Sequence, residues 1–237
     1  MKKECIILAG GKGTRLQSVV NDVPKCMAQV ANQPFLKHVF DYLEQQHFQH
    51  IVLALGYKAQ IIIDWLKTQQ RNFSISYVVE QEALGTGGAI KFASSKIIGD
   101  KMLILNGDTF FNISTDILFE AHQLKKADIS LGLKPMKNFD RYGTVDCDQE
   151  NRIIKFNEKK QTEEGLINGG VYLVNKNIFD KLNLPQKFSF EQEILETKLD
   201  ILPIYGHTFD NYFIDIGVPT DFEKANIDFK NNKHLEK

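Results

Sequence analysis

Cys5-Ile6-Ile7-Leu8-Ala9-Gly10-Gly11-Lys12-Gly13-Thr14-Arg15-Leu16 stands near the start of the chain, and Pro24-Lys25 follows shortly after. The apolar run is short, rich in β-branched residues and stopped by glycine, which predicts a buried strand over Cys5 to Ala9. Gly10, Gly11 and Gly13 let the backbone turn sharply and bring N–H groups close to phosphate oxygens. Arg15 and Lys25 add positive charge, so the stretch from Leu8 to Lys25 reads as a loop that holds a triphosphate. Without those cations, three glycines read equally well as a tight turn.

Two familiar phosphate loops fail on these residues. A Walker A loop requires Gly, four residues and then Gly-Lys-Ser/Thr, whereas Gly11-Lys12 lacks the earlier glycine and is followed by Gly13. A dinucleotide fingerprint needs a small residue where Leu16 stands and an acidic one roughly 20 positions further on, where Asn32, Gln33 and Pro34 stand.

Downstream, strand-like runs alternate with helical patterns: Phe35 to Gln46, Ile51 to Leu55, Ala59 to Lys67, Ile75 to Val79, Thr86 to Ala93 and Met102 to Leu105. This alternation predicts a parallel sheet flanked by helices, with ligands at the C-terminal strand ends. A helix from Thr115 to Lys126 follows, capped by Ser114 or Thr115. From Asp128 the texture changes to strands at Ile129 to Leu133, Gly143 to Asp146, Arg152 to Phe156 and Gly170 to Val174, consistent with mixed or antiparallel pairing. A helix at Glu191 to Lys198, strands at Ile201 to Tyr205 and Tyr212 to Asp215, and a helix from Thr220 complete the pattern. The tail after Phe229 is polar and expected to fray. The class is α/β with a mixed, mainly parallel Rossmann-like sheet. One domain is expected over 1–237, in two halves at 1–127 and 128–237.

Composition narrows the partners. The chain has 237 residues, 43% hydrophobic and 25% charged, with a formal net charge of -1. That balance offers no long-range attraction to nucleic acid or an anionic membrane, so phosphate recognition must be local and a small phosphorylated ligand is favoured. Cys5, Cys26 and Cys147 form no CxxC pair, which argues against a disulfide framework or zinc site and for a reducing compartment. The apolar run after Lys2 and Lys3 breaks at Gly10, too short for a signal-peptide core or a membrane span, so a cytoplasmic location is expected. The oligomeric state stays open, a homo-oligomer included.

Further chemistry gathers at four places. Leu84-Gly85-Thr86-Gly87-Gly88-Ala89 opens a helix whose small residues would leave N–H groups facing a ligand, or would only make a tight turn. Upstream, Glu80 and the equally near Glu82 place carboxylates beside that turn, to accept a donor edge of a ligand or simply be solvated. Asp108 and Asp215 each end a hydrophobic strand; alone each reads as a turn residue, together they suit Mg²⁺, a hard cation that takes one or two carboxylates and shares phosphate oxygens. Glu158 and Asn168 can bond sugar hydroxyls and Lys159 can neutralise a phosphate, though each also reads as turn or surface chemistry.

Taken in order, these residues resemble the sugar-nucleotide pyrophosphorylases, nucleotidyltransferases of a GT-A-like, Rossmann-related fold. The likeness covers nearly the whole chain. It implies nucleotide binding by Leu8, Ala9, Gly10, Gly11, Gly13, Thr14, Arg15, Lys25, Glu80, Gly85 and Thr86, with Arg15, Lys25 and Asp108 as the catalytic group. It likewise implies a sugar-phosphate pocket at Gly143, Glu158, Lys159 and Asn168, and Mg²⁺ on Asp108 and Asp215. Arg15 to Val20, Asp22, Pro24-Lys25, Pro34 to Leu36, Asn106 to Phe111 and Leu166 to Tyr172 look most like the heptose 1-phosphate guanylyltransferase branch, which implies GTP, a heptose 1-phosphate and a place in surface polysaccharide synthesis. Mannose or glucose 1-phosphate with GTP, CTP or dTTP is the alternative, and a regulatory nucleotide-sugar binder would be expected to lack Arg15, Lys25, Asp108 or Asp215. Cys26 departs from the proline usual after this lysine, which bears on loop stiffness. No hexapeptide repeats are present, so the appended β-helix of some relatives is not expected. The implied reaction is in-line attack by a sugar-phosphate oxygen on the α-phosphorus. The nucleophile is already anionic and needs no general base, in keeping with six histidines that fall in none of these motifs.

Overall fold

A computed structural model describes residues 2–11, 13–16, 19–20 and 22–235, Thr14 by its backbone alone; Lys12, Gln17, Ser18 and Asn21 of the loop lie outside them. Seven strands form the main sheet: β1 (Glu4–Ala9), β2 (His50–Leu55), β3 (Ser74–Val79), β4 (Lys101–Asn106), β5 (Ile129–Phe139), β6 (Thr162–Asn175) and β7 (Ile204–Thr208), in the order β7-β5-β6-β4-β1-β2-β3. β1 pairs in parallel with β2 and β4, β2 with β3, and β5 with β7. β6 is antiparallel to both β4 and β5 and joins the two halves. The sheet is therefore mixed and mainly parallel.

Helices α1 (Phe35–Gln45), α2 (Ala59–Leu66), α3 (Gly85–Ser94), α4 (Thr115–Leu124) and α5 (Pro219–Lys230) flank it. Because β1 is covered on both faces, its side chains serve two cores: Cys5 and Ile7 join one apolar cluster and Ile6 the other. Buried on both sides, such a strand needs a continuous apolar run rather than an alternating one. One charge breaks the run. Glu4 is wholly buried, accepting from His50 Nδ1 at 2.7 Å and from the N–H groups of Ile98 and Gly99.

One of the two candidate caps is selected and three expectations change. Ser114, not Thr115, caps α4, accepting the Ile117 N–H. Glu191–Glu196 is π-helical, and the next strand starts at Ile204 because Ile201 is exposed while Ile204 is buried. The tail does not fray after Phe229: α5 runs to Lys230, and a 3-10 turn at Lys233–Leu235 stacks His234 on Phe229 at 4.0 Å between ring centres. Apolar ring contact holds a segment that reads as polar. No helix among the described residues is long and apolar enough to cross a membrane.

Candidate active site

The parallel register brings the C-terminal ends of β1, β2, β3 and β4 to one edge of the sheet, and the turns leaving them build the site. Gly107 N–H donates to Leu8 O at 2.9 Å, Tyr57 N–H to Gly10 O at 3.1 Å and Glu80 N–H to Leu55 O at 2.8 Å. The glycine loop is thereby pinned between its neighbours, and a cavity of about 520 Å³ opens beside it. Leu8, Ala9, Gly10, Gly11, Gly13, Arg15, Lys25, Glu80, Gly85, Thr86 and Asp108 all line this cavity. The backbone of Thr14 opens the 3-10 turn Thr14–Leu16.

The loop is tied to the fold by Leu16, which is buried and whose N–H donates to Gly13 O at 3.0 Å. Gly13 has φ +60, and a Cβ there would stand 3.1 Å from Lys25 Cβ. Glycine is required on both counts: the left-handed conformation and the lysine stem lying across it. Pro24 closes the 3-10 turn Lys25–Met27 by accepting the Met27 N–H at 2.8 Å. Pro24 sets the approach to this turn, while Cys26 is buried and lines the cavity. Burial, helped by the charge of Asp108, pushes the Cys26 thiol up to about 12, so it is a packed neutral group rather than a nucleophile.

Lys25 Nζ pairs with Asp108 Oδ2 at 2.5 Å, the lysine side chain 11% and the aspartate 31% exposed. Asp215 stands beside this pair. The short strands Thr109–Phe111 and Phe213–Asp215 are antiparallel with Thr109 opposite Asp215, and Ile216 N–H donates to Asp108 O at 3.0 Å. Asp215 Oδ1 accepts the Gly217 N–H at 2.7 Å. Burial, and then the charge of Asp108, raises the Asp215 carboxyl above the ordinary carboxylate range against the opposing pull of Lys25 and Arg15. Two carboxylates set side by side, one reluctant to ionise, are short of positive charge. They fit a divalent cation that completes its shell with phosphate oxygens and water. Among the described residues no three His, Cys, Asp or Glu side chains form a closed metal cluster.

The second glycine cluster corrects one expectation. Gly87 and Gly88 do not offer their N–H groups to a ligand; both donate to Phe188 O, at 3.0 and 3.3 Å. A Cβ on Gly87 would stand 2.1 Å from Phe188 Cε2, so these residues are small to let the 186–190 segment dock on α3. Gly85 and Thr86 remain at the cavity wall. Of the two glutamates, Glu80 lines the cavity and Glu82 is exposed outside it. Glu80 Oε2 accepts the Leu84 N–H at 3.1 Å, and burial raises its pKa.

The sugar-side residues are not brought into this cavity. Gly143 packs against the Asn157 carbonyl, 2.2 Å from where its Cβ would stand, and Glu158 and Lys159 are exposed beyond it. Asn168 is half-buried, donating to the Tyr172 hydroxyl at 3.0 Å and accepting the Gly170 N–H at 3.0 Å. Among the wall residues that sequence reading left out of the site are Cys26, Asn106 and Glu191. Cys26 and Asn106 adjoin recognised motifs and were within reach; Glu191 is about a hundred residues from the turn it touches and carried no local signal.

A glycine loop, two cations and paired carboxylates meet at the strand ends, and the chain belongs to the nucleotidyl transferase family, whose model matches residues 4–232. It is 49% identical over 222 residues to the D-glycero-alpha-D-manno-heptose 1-phosphate guanylyltransferase of Aneurinibacillus thermoaerophilus, covering 94% of this chain and 96% of that one. Against the enzyme of the same name from Campylobacter jejuni the identity is 45% over 219 residues, covering 92% and 96%. The crystal structure of HddC from Yersinia pseudotuberculosis superposes with a TM-score of 0.88 at 37% identity, covering 96% of this chain and 100% of that one. The same protein has been solved in complex with GMP-PN.

Proposed function

We propose that this chain is a sugar-1-phosphate nucleotidyltransferase that joins D-glycero-α-D-manno-heptose 1-phosphate to GTP, giving GDP-heptose and pyrophosphate. The observation that carries the reaction type is the juxtaposition of Lys25, Asp108 and Asp215 beside a glycine-lined cavity. The relatives' named activities, at 49% and 45% identity over most of the chain, narrow it to GTP and the heptose.

The task is to bring two polyanions together, so positioning and charge neutralisation dominate. Arg15 grips the β and γ phosphates, and the N–H groups of Gly10, Gly11 and Gly13 donate to their oxygens. Lys25 reaches the α-phosphate; to do so it gives up part of its pairing with Asp108, whose charge is then free for a metal. Mg²⁺ held by Asp108 and Asp215 supplies further neutralisation of the phosphates when bound. Lys159 neutralises the sugar phosphate and Glu158, Gly143 and Asn168 hold the sugar, which requires the exposed Glu158-Lys159 segment to move toward the cavity when substrate arrives. Glu80 accepts the N1–H and N2–H₂ edge of guanine; the site has no comparable need for a general base.

The test is a matrix of GTP, CTP, UTP and dTTP against heptose, mannose and glucose 1-phosphates, read by pyrophosphate release. GTP with the heptose 1-phosphate is expected to have the highest kcat/KM. A different best pair refutes the substrate assignment, and no pyrophosphate from any pair refutes the reaction.

A further inference from the structure

Glu191 enters the cavity wall from the far side of the sheet sequence. Its Oε2 accepts the Thr86 hydroxyl at 2.5 Å and the Ser189 hydroxyl at 3.0 Å, and Thr86 Oγ1 in turn accepts the Phe190 N–H at 2.9 Å. The carboxylate is therefore fixed by neutral donors, not by a cation. Close by lies Tyr172, fully buried, whose hydroxyl accepts from Asn168. Asn168 also holds the bulge at Gly170, which abuts Asn106 at the end of β4: a Cβ on Gly170 would stand 2.8 Å from Asn106 Nδ2. Glu191 thus stands where the Gly85-Thr86 turn meets the part of the chain that runs to Asn168 and, through Asn106, to Asp108.

Charge divides the site in two. Arg15 and Lys25 lie on one side, with Asp108 and Asp215 beside them, while Glu191 belongs to a side without those cations, whose field, with Glu158 and Glu193, is felt at Glu196. A triphosphate is drawn to the first and repelled from the second. A carboxylate offers about four acceptor positions, and the hydroxyls of Thr86, Ser189 and the buried Tyr172 take three of them, which leaves one for a ligand. The complementary ligand group is a neutral hydroxyl. The carboxylate also starts the π-helical stretch Glu191–Glu196, a wide turn that frequently marks functional sites.

We infer that Glu191 is a specificity-determining residue that accepts a hydrogen bond from a ring hydroxyl of the sugar 1-phosphate. The inference rests on the nucleotidyltransferase reading above and adds a contact on the sugar rather than on the nucleotide.

Glu191→Gln and Glu191→Ala are compared with the unmodified chain by varying each substrate while the other is saturating. Loss of a hydrogen bond to a charged acceptor should raise KM for the sugar 1-phosphate about 10- to 100-fold, with KM for GTP nearly unchanged. Sugar 1-phosphates lacking one ring hydroxyl each supply the second measurement. The unmodified chain should discriminate against one of them by a similar factor, and Glu191→Ala should not. A rise in KM for GTP alone would move the contact to the ribose and overturn the inference. So would unchanged discrimination in Glu191→Ala, and this ratio holds even if the variant is partly unfolded, because both sugars meet the same active fraction. Activity of the unmodified chain tests the reaction separately: if it turns over any sugar 1-phosphate, the Glu191 result stands or falls by itself.

Discussion

Gly87→Ala puts the docking of the 186–190 segment on α3 to a quantitative test. The new Cβ would stand 2.1 Å from Phe188 Cε2 and 2.3 Å from Cδ2, where carbon atoms normally rest about 3.5 to 4.0 Å apart. The ring must therefore retreat by roughly 1.5 Å. It is 3% exposed and packed in the core, so it has little room. Overpacking of this kind costs about 1 to 3 kcal/mol, and replacing glycine by alanine within a helix returns up to about 1 kcal/mol. A net loss of about 1 to 2 kcal/mol corresponds to a fall in melting temperature of about 2 to 8 °C for a chain of this size. The retreat also draws Phe188 O away from the Gly87 and Gly88 N–H groups and moves the Thr86–Glu191 bond, so KM should rise as the melting temperature falls. Thermal denaturation by circular dichroism, alongside steady-state kinetics, reads both effects. Phe188→Leu should recover much of the loss when combined with Gly87→Ala, because the smaller side chain makes space for the methyl group. A Gly87→Ala variant melting at or above the unmodified chain would refute the close-packing explanation, since helix propensity alone predicts that direction.

Lys25→Ala should lower kcat by about 100- to 1000-fold, the usual worth of one well-placed electrostatic stabiliser, and unchanged turnover at saturating substrate would remove it from the reaction. Asp108→Asn should nearly abolish pyrophosphate release while the melting temperature stays close to that of the unmodified chain; near-full rate would remove Asp108 from the metal role. Burial opposes ionisation of Glu4, but hydrogen bonds from His50, Gly99 and Ile98 outweigh it and hold its pKa below the ordinary carboxylate range. A carboxyl lowered in the folded state adds stability above its unfolded pKa of about 4.3, and this stability is lost as pH falls through the lower folded value. Glu4→Gln should cost about 3 kcal/mol at neutral pH and flatten the acid limb in urea titrations, and an equally steep limb in the variant would contradict this. Removing residues 232–237 takes away the His234 ring stacked on Phe229 and should cost about 1 kcal/mol; identical denaturation midpoints would show that the tail adds nothing.

Much of this was legible in the sequence because it is local. A run such as Cys5 to Ala9 can only be a strand covered on both faces, glycines after it can only be a turn, and Asp108 follows its strand so closely that the strand end places it. Parallel topology put the loop that carries Lys25 and the strand end that carries Asp108 at one edge of the sheet, but their direct pairing came only with the tertiary structure. The Gly85–Gly88 cluster shows where this stops. Small residues at a helix start signal a close approach but do not say of what, and here the neighbour is Phe188, not only a ligand. The tail shows the same limit, as the polar composition after Phe229 says nothing of the ring that His234 meets.

The sequence by itself determined the parallel half of the sheet, the phosphate loop and the two aspartates as ends of strands. Only the tertiary structure decided that Asp215 stands beside Asp108, that Glu80 rather than Glu82 faces the cavity, and that Glu191 completes its wall. For Asp215 and Glu191 the physical reason is β6, which enters antiparallel between β4 and β5 and brings the second half of the chain against the first. Pairings made that way join residues about a hundred positions apart. They depend on strand order, which no short window of sequence encodes.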